Sequence, residues 1–364
     1  MRPKILYHVH QDHNLPRNPN WSTTLSIYAF WNNKGGTGKT SLAFQTVVGF
    51  AEKHPDKKIL VIDVCPQANL SELLLGGLLG GGSKNLLALQ ANSVRSTIGG
   101  YFQFRLPQPY SASGINGAQY LTTPSSFNKS IPSNISLIAG DALLELQANA
   151  TSTLANAQIP GQNPWLDVID WLRDLLADLP DSYDCTFIDC NPSFSFYTQI
   201  ALSIADNLIL PVMADDSSRR ALQNAFSLVY GLRLPSEIYA QHSFASRLTS
   251  AERQLPKVHT IVKNRLTQYM GAASAYAAVL TSIDQQVNEL MRIKKNLFAF
   301  KSPTEVVCEM RDFGTTGVVA HAKGCSFKTL VPKKHSIGSQ RITVKCDYLD
   351  NCREAMKNLV GRIQ

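Results

Sequence analysis

The residues with the clearest chemical potential form a glycine-rich stretch, residues 34–41, which reads Lys-Gly-Gly-Thr-Gly-Lys-Thr-Ser. Three glycines in five positions allow the backbone to wrap around phosphate oxygens with its amides pointing inward. Lys39 stands where a cationic head reaches the β and γ phosphates, and Thr40 supplies a hydroxyl for Mg²⁺. The sequence therefore predicts a nucleotide phosphate site composed of Lys34, Gly35, Gly36, Thr37, Gly38, Lys39, Thr40 and Ser41.

Two positions set this stretch apart from the generic phosphate loop. Asn33 stands where the Gly-x4-Gly-Lys-Ser/Thr frame has its first glycine. Lys34 is an additional cation that a generic phosphate loop does not require. It is either a solvated loop residue or a second phosphate contact, which could act across a dimer.

Two carboxylates complete the candidate metal site. Asp63 ends the apolar stretch Lys-Ile-Leu-Val-Ile-Asp, and Asp189 ends the stretch Cys-Thr-Phe-Ile-Asp. A carboxylate in this position can hold the Mg²⁺ shell of a bound nucleotide. We therefore expect Thr40, Asp63 and Asp189 to surround Mg²⁺, the alternative being that either aspartate caps a helix or belongs to a buried network.

The surrounding pattern predicts the elements that position these residues. A strand at residues 25–31, a helix at 40–52 and a strand at 58–63 form one βαβ unit, whose two strands are parallel. Further strands and helices alternate downstream, which predicts an α/β, doubly wound, mostly parallel sheet with helices on both faces. Ligands bind such sheets beyond the carboxyl ends of the strands, where the glycine-rich stretch and both aspartates fall.

Length and composition limit the remaining possibilities. The 364 residues are 44% hydrophobic, which excludes wholesale disorder. No apolar run reaches the roughly 18 residues of a membrane span, and seven scattered cysteines indicate a reducing, cytoplasmic setting. We expect an N-terminal arm at residues 1–24 and a single domain at 25–364, with an insertion of only local structure around 76–135.

The positive charge lies in the last third of the chain. Residues 253–364 hold 18 Lys and Arg against 8 Asp and Glu, a net charge of +10, whereas the whole chain carries +8. This asymmetry indicates nucleic acid or an anionic membrane as a partner, although a basic surface without such a partner remains an alternative. The candidate DNA-binding residues are Arg292, Lys294, Lys295, Lys301, Lys323, Lys328, Lys333 and Lys334.

Together, three segments resemble the ParA/MinD group of deviant Walker-box ATPases, and most closely its ParA-like partition proteins. Residues 34–41 match the deviant Walker A motif, with Lys34 as the signature lysine. Residues 61–70 resemble the second box, Asp-x-Asp-Pro-Gln-x-Asn, and residues 183–193 resemble the Walker B segment.

The resemblance implies a specific cycle. Members bind ATP·Mg²⁺ in a sandwich homodimer, in which the signature lysine, here Lys34, reaches the partner's nucleotide. The ATP dimer of the partition branch binds DNA without sequence specificity, and an adaptor bound to the cargo stimulates hydrolysis to ADP. The cargo is a plasmid, a chromosome or a protein assembly, so the resemblance implies a nucleoid-associated protein. Catalysis would rest on Lys34, Lys39, Asp63 and Cys65, and Asn264 and Arg265 resemble the position that meets adenine.

One departure from the family pattern bears on hydrolysis. Cys65 stands where the second box has its second carboxylate, which in the family helps to place the attacking water. A thiol is a poor general base near neutral pH, so we expect slow turnover or dependence on another residue. This keeps open a nucleotide-held scaffold or regulator that hydrolyses slowly or not at all. A MinD-like membrane-associated ATPase is a further alternative, disfavoured because the last helix resembles a docked core helix.

Overall fold

The computed structural model describes residues 25–266 and 274–364. The arm predicted for residues 1–24 lies outside the described residues. The apolar spacing of residues 272–291 predicts a helix, whose first two residues also lie outside them. Within the described ranges, the chain alternates between buried strands and amphipathic helices over most of its length.

A central sheet of eight strands organises the described part of the chain. Its order is β3-β4-β2-β5-β1-β6-β7-β8, and every neighbouring pair is parallel except β3 and β4. The predicted doubly wound, mostly parallel sheet is therefore confirmed. The strands are β1 (Ser26–Phe30), β2 (Ile59–Val64), β3 (Leu121–Thr122), β4 (Ile135–Ile138), β5 (Cys185–Cys190), β6 (Asn207–Met213), β7 (Lys257–Leu266) and β8 (Val307–Arg311), followed by a separate antiparallel pair, β9 (Lys334–Ile337) and β10 (Gln340–Thr343).

Helices cover both faces of this sheet. Alternate residues of β5 enter opposite cores: Ile188 packs into one and Phe187 into the other. Burial on both faces explains why the central strands read as continuous apolar runs. The helices are α1 (Lys39–Lys53), α2 (Asn69–Leu74), α3 (Gly82–Gln90), α4 (Ile98–Arg105), α5 (Leu143–Ala155), α6 (Pro164–Ile169), α7 (Trp171–Ala177), α8 (Phe196–Ile204), α9 (Asp216–Tyr230), α10 (Glu237–Gln241), α11 (Phe244–Ser250), α12 (Ser274–Ile293), α13 (Pro303–Val306), α14 (Gly314–Lys323) and α15 (Cys346–Val360).

The last helix, α15, packs into the core. Its buried residues Leu349, Cys352, Met356 and Leu359 recur every three or four positions, which places them on one face. That face lies against α1 and β8. Among the described residues, none of the helices combines the length and apolarity that crossing a bilayer requires.

One predicted helix is divided in two. The apolar spacing across residues 164–179 predicts a single helix, but α6 ends at Ile169 and α7 begins at Trp171. Asp170 lies at the break, where its carboxylate accepts hydrogen bonds from Arg173 and Arg253. The pattern conceals this break because apolar residues continue at helical spacing on both sides.

The segment predicted as an insertion is integrated with the sheet. Tyr101 and Phe102 of α4 are buried in the same core as Ile188, and β3 pairs with β4 at the edge of the sheet. Residues 76–135 thus extend beyond the local structure that the sequence led us to expect. The anchor is Arg105, whose guanidinium donates to Tyr101 Oη (2.8 Å) and Asp174 Oδ2 (2.7 Å).

Replacing this anchor tests how firmly α4 is docked. Arg105 is 1% exposed, and its guanidinium also lies 5.2 Å from the Trp171 ring centroid. We expect Arg105→Met to lower the free energy of unfolding by about 2 kcal/mol, because Asp174 loses its partner in a largely buried position. Urea denaturation measures the change. The double variant Arg105→Met/Asp174→Leu should recover at least part of the loss, and wild-type stability of the single variant would contradict the assignment.

Candidate functional site

The glycine-rich stretch connects β1 to α1 at the carboxyl edge of the sheet. Gly36 (φ 73°) and Gly38 (φ 81°) have left-handed backbone conformations, and Gly38 is the N-cap of α1. A Cβ atom at Gly38 would lie 2.3 Å from Asn264 Nδ2, so the position requires glycine for space as well as conformation. Thr37 is fully buried, and its hydroxyl has no hydrogen-bond partner. The loop has the backbone geometry of a phosphate cradle at a helix N-terminus.

Lys39 lies inside this loop. It is 7% exposed, and its ammonium donates to the Lys34 carbonyl oxygen at 3.2 Å. Burial lowers the pKa of Lys39, and the nearby Asp189 carboxylate opposes that shift. The Lys39 ammonium thus lies against the loop backbone, and its contact with phosphate stays a prediction.

Thr40 and Asp189 are in direct contact. Thr40 Oγ1 donates to Asp189 Oδ2 at 2.7 Å, while Asp189 Oδ1 is buried without a partner. Burial raises the pKa of Asp189 to about 7, and the charge of Asp63 adds to the shift. A hydroxyl and a carboxylate with one oxygen unpaired fit Mg²⁺, which takes few protein ligands and completes its shell with water and phosphate oxygens.

Asp63 lies beside Asp189 but is hydrogen-bonded differently. Its Oδ1 accepts from the Cys65 amide (3.1 Å), and its Oδ2 accepts from the amide (2.9 Å) and hydroxyl (2.8 Å) of Ser71. Burial raises the pKa of Asp63 to about 6, while these hydrogen bonds oppose the shift. Both oxygens of Asp63 are thus engaged in holding the second box, so Thr40 and Asp189 are better placed than Asp63 to hold a metal ion.

Ser71 is a supporting residue that the sequence did not reveal. Besides holding Asp63, its hydroxyl accepts a hydrogen bond from the Gly140 amide at 2.8 Å, which ties α2 to the end of β4. A Cβ atom at Gly140 would lie 2.9 Å from Asp63 Oδ2, so this approach requires glycine. The only local signal is the position of Ser71 in the first turn of a helix that follows the box.

Cys65 lies at the edge of the same cluster. It is 8% exposed, and burial raises the pKa of its thiol to about 12, with further increases from Asp63 and Asp189. The thiol is therefore neutral at physiological pH and cannot accept a proton from water.

The candidate signature lysine is held within its own chain. Lys34 Nζ lies 2.5 Å from Asp215 Oδ2 and 3.2 Å from Ser218 Oγ. Burial alone would raise the pKa of Asp215, but hydrogen bonds from Lys34 and neighbouring groups lower this pKa to about 2. Asp215 was not predicted from the sequence, because its contact with Lys34 spans 181 positions along the chain.

The structure also brings the predicted adenine residues to the loop. Asn264 Nδ2 donates to the Thr37 carbonyl oxygen at 2.8 Å, so this amide supports the loop backbone. Arg265 is exposed and adopts a left-handed conformation (φ 59°) at the end of β7. Asn264 thus has a structural contact, and Arg265 presents an exposed side chain beside the loop.

The predicted DNA-binding residues fall into two groups on different elements. Arg292 lies in the last turn of α12, and Lys294, Lys295 and Lys301 follow that helix. The nearby Phe298 pairs with Val258 at the amino end of β7. Lys323 ends α14, Lys328 and Lys333 lie in the connection that follows, and Lys334 begins β9. All are exposed except Lys323, which is partly buried, and Lys328 lies 4.0 Å from Glu52.

Curated relatives match this chain over about half of its length. The chromosome partitioning protein ParA of Myxococcus xanthus is 25% identical over 197 residues, which are 54% of this chain and 54% of that protein. The chromosome-partitioning ATPase Soj of Treponema pallidum is 26% identical over 186 residues, 51% of this chain and 56% of that protein. The chain thus spans about half the length of the curated relatives it matches.

A solved structure and a family model also match this chain. A variant of Cyanothece McdA, solved as an ATP complex, superposes with a TM-score of 0.58 at 15% identity, covering 93% of this chain and 97% of that one. This likeness concerns the fold. A family model described as an AAA domain matches residues 25–233, more than half of the chain. The chain therefore belongs to the AAA-domain family, as a ParA-like P-loop ATPase.

Proposed function

We propose that this protein is an ATP-dependent, dimerising partition or positioning ATPase. In its ATP-bound form it binds DNA without sequence specificity, and with an adaptor it segregates a plasmid, chromosome or protein cargo on the nucleoid. The observation that carries the proposal is the contact between Thr40 and Asp189 at the mouth of a glycine-rich loop (2.7 Å). The named relatives are partitioning proteins, which supports the partition role, and the McdA variant was solved with ATP, which supports ATP as the nucleotide.

The nucleotide would lie on residues 34–41. The loop amides and Lys39 would hold its phosphates, Thr40 and Asp189 would hold Mg²⁺, and Arg265 would lie beside the base. Bound Mg²⁺ would neutralise phosphate charge and polarise the transferring group. The unpaired oxygens of Thr37 and Asp189 fit this assignment, because a buried polar atom without a partner in a folded protein calls for a ligand or water.

Dimerisation would require Lys34 to change partners. In a single chain its ammonium is held by Asp215 and Ser218. To reach a nucleotide in the partner subunit, it must leave this pair and exchange one anion for another. The Lys34 and Asp215 side chains are 23% and 40% exposed, so solvent screens their attraction. Separating the pair therefore costs little free energy.

A slowly hydrolysing, nucleotide-held scaffold is the second candidate. The neutral thiol of Cys65 favours it, since no carboxylate stands at that position to place the attacking water. A membrane-associated ATPase has less support. The apolar face of α15 packs against α1 and β8 and is therefore not presented to a bilayer.

The role of Cys65 can be tested by restoring the carboxylate. We expect Cys65→Asp to raise the rate of ATP hydrolysis at least about tenfold, because an ionised acceptor can position water. Phosphate release at saturating ATP·Mg²⁺ measures the rate. Cys65→Asn has the shape of aspartate without its charge and should not accelerate turnover. An aspartate variant no faster than wild type would show that Cys65 does not limit hydrolysis.

The exchange of Lys34 can be tested through its present partner. Asp215→Asn keeps a side-chain oxygen for the α9 N-cap, where Oδ1 now accepts from the Ser218 amide at 2.7 Å, but removes the charge. We expect this variant to dimerise at an ATP concentration about fivefold lower, because a partly exposed ion pair contributes about 1 kcal/mol. Lys34→Ala should not dimerise with ATP. Sedimentation velocity measures both, and unchanged assembly in both variants would contradict the role.

DNA binding should depend on nucleotide and on salt. We expect the protein to retard duplex DNA of arbitrary sequence only with ATP, with affinity that falls steeply as salt rises, because basic residues displace counterions from phosphates. Charge reversal at Lys294, Lys295, Lys333 and Lys334 should reduce retention. Retardation of DNA without nucleotide, or retardation that does not change with salt concentration, would count against the proposal.

A further inference from the structure

The antiparallel pair β9 and β10 forms a short ribbon with two unlike faces. Cross-strand partners in such a pair point to the same side, and successive residues alternate. His335 and Ile342 are paired, and they share the inner face with Ile337. His335 is buried, with Nε2 2.8 Å from the Val331 carbonyl oxygen, and both isoleucines pack against the core that contains Phe187. The ribbon is thus fixed to the body of the protein by its inner face.

The outer face of the ribbon is polar and exposed. We call it the ribbon face, and it consists of Lys334, Ser336, Arg341 and Thr343. In the register, Lys334 lies opposite Thr343 and Ser336 opposite Arg341, so the two cations lie on different strands of one surface. Lys345 follows β10 and is also exposed.

The charge of this region is one-sided. Residues 313–346 contain six Lys or Arg and no Asp or Glu. Across the described ranges, the salt bridges within 4.0 Å include none to Lys334, Arg341 or Lys345. A fixed surface with several cations and no internal carboxylate attracts a polyanion.

We propose that the ribbon face binds the phosphate backbone of duplex DNA. The inference rests on the proposed function and names an element that carries it. Arg341 and Lys345 then join Lys333 and Lys334 as DNA contacts, and the hydroxyls of Ser336 and Thr343 supply further phosphate donors. The face has no aromatic residue on which single-stranded bases could stack, and no apolar side chain that could anchor it in lipid.

The test uses the full chain with ATP and Mg²⁺ and a fluorescent 30-base-pair duplex of arbitrary sequence. We expect Lys334→Gln/Arg341→Gln to bind about tenfold more weakly, with a salt dependence shallower by about two phosphate contacts. Lys84→Gln/Lys129→Gln removes the same charge from exposed positions outside the ribbon and serves as the matched control, expected to bind as wild type. Ser336→Glu removes no cation, and its added negative charge should weaken binding as well. Thermal melting verifies that each variant is folded.

The outcomes separate the ribbon from the broader proposal. If wild-type protein fails to bind duplex DNA with ATP, the proposed DNA function fails, and the ribbon inference with it. If wild type binds and the ribbon variants match the control, the ribbon inference fails alone. Loss of binding in a Lys294→Gln/Lys295→Gln variant but not in the ribbon variants would assign DNA to the region after α12. Tighter binding of single-stranded DNA, or ribbon-dependent binding to phosphatidylglycerol vesicles instead of DNA, would also overturn the inference.

Discussion

Two carboxylates, Asp63 and Asp189, are buried side by side at the ends of neighbouring parallel strands, and the site is organised around them. The strand register pairs the two residues directly, and both are at most 1% exposed. Burial and mutual repulsion both disfavour their charged forms. The protein relieves this for Asp63 with three hydrogen bonds but leaves one oxygen of Asp189 unpaired. A divalent cation beside Asp189 would supply the missing compensation, so the electrostatics of the pair agree with the Mg²⁺ role proposed for Thr40 and Asp189.

The hydrogen bonds that compensate the burial of Asp63 also attach the segment after the second box to the site. Ser71 connects Asp63 to the Gly140 amide, and the next residue, Asp141, is fully buried. Asp141 accepts hydrogen bonds from Arg95 and from Thr97, which caps α4. A continuous series of contacts thus joins the buried carboxylates to residues 95–105. These residues are part of the support of the site rather than an appendage.

The sequence predicted those features that depend on local spacing. Short sequence patterns predict the glycine-rich loop, the strand-ending aspartates and the parallel sheet. Because parallel strands bring their carboxyl ends to one edge, these patterns also predict that the loop and the aspartates lie together. Ser71 and Asp215 were missed because their roles arise from contacts formed in the folded chain. The ribbon was missed for another reason: each strand has only four residues, too few for the alternation to stand out from the surrounding basic segment.

The helix that begins at the phosphate loop also touches the basic region. Gln45, which is 2% exposed on α1, donates to the Cys325 carbonyl oxygen and accepts from the Phe327 amide at 2.9 Å. Both partners belong to the turn after α14, which lies on the path to the ribbon. The Gln45 amide, together with Glu52, which accepts from Ser326 Oγ at 2.7 Å, holds this turn against α1. A shift of α1 on nucleotide binding would have to be accommodated there. This gives a physical contact through which the nucleotide site and the proposed DNA surface are connected within a single chain, independently of the dimer.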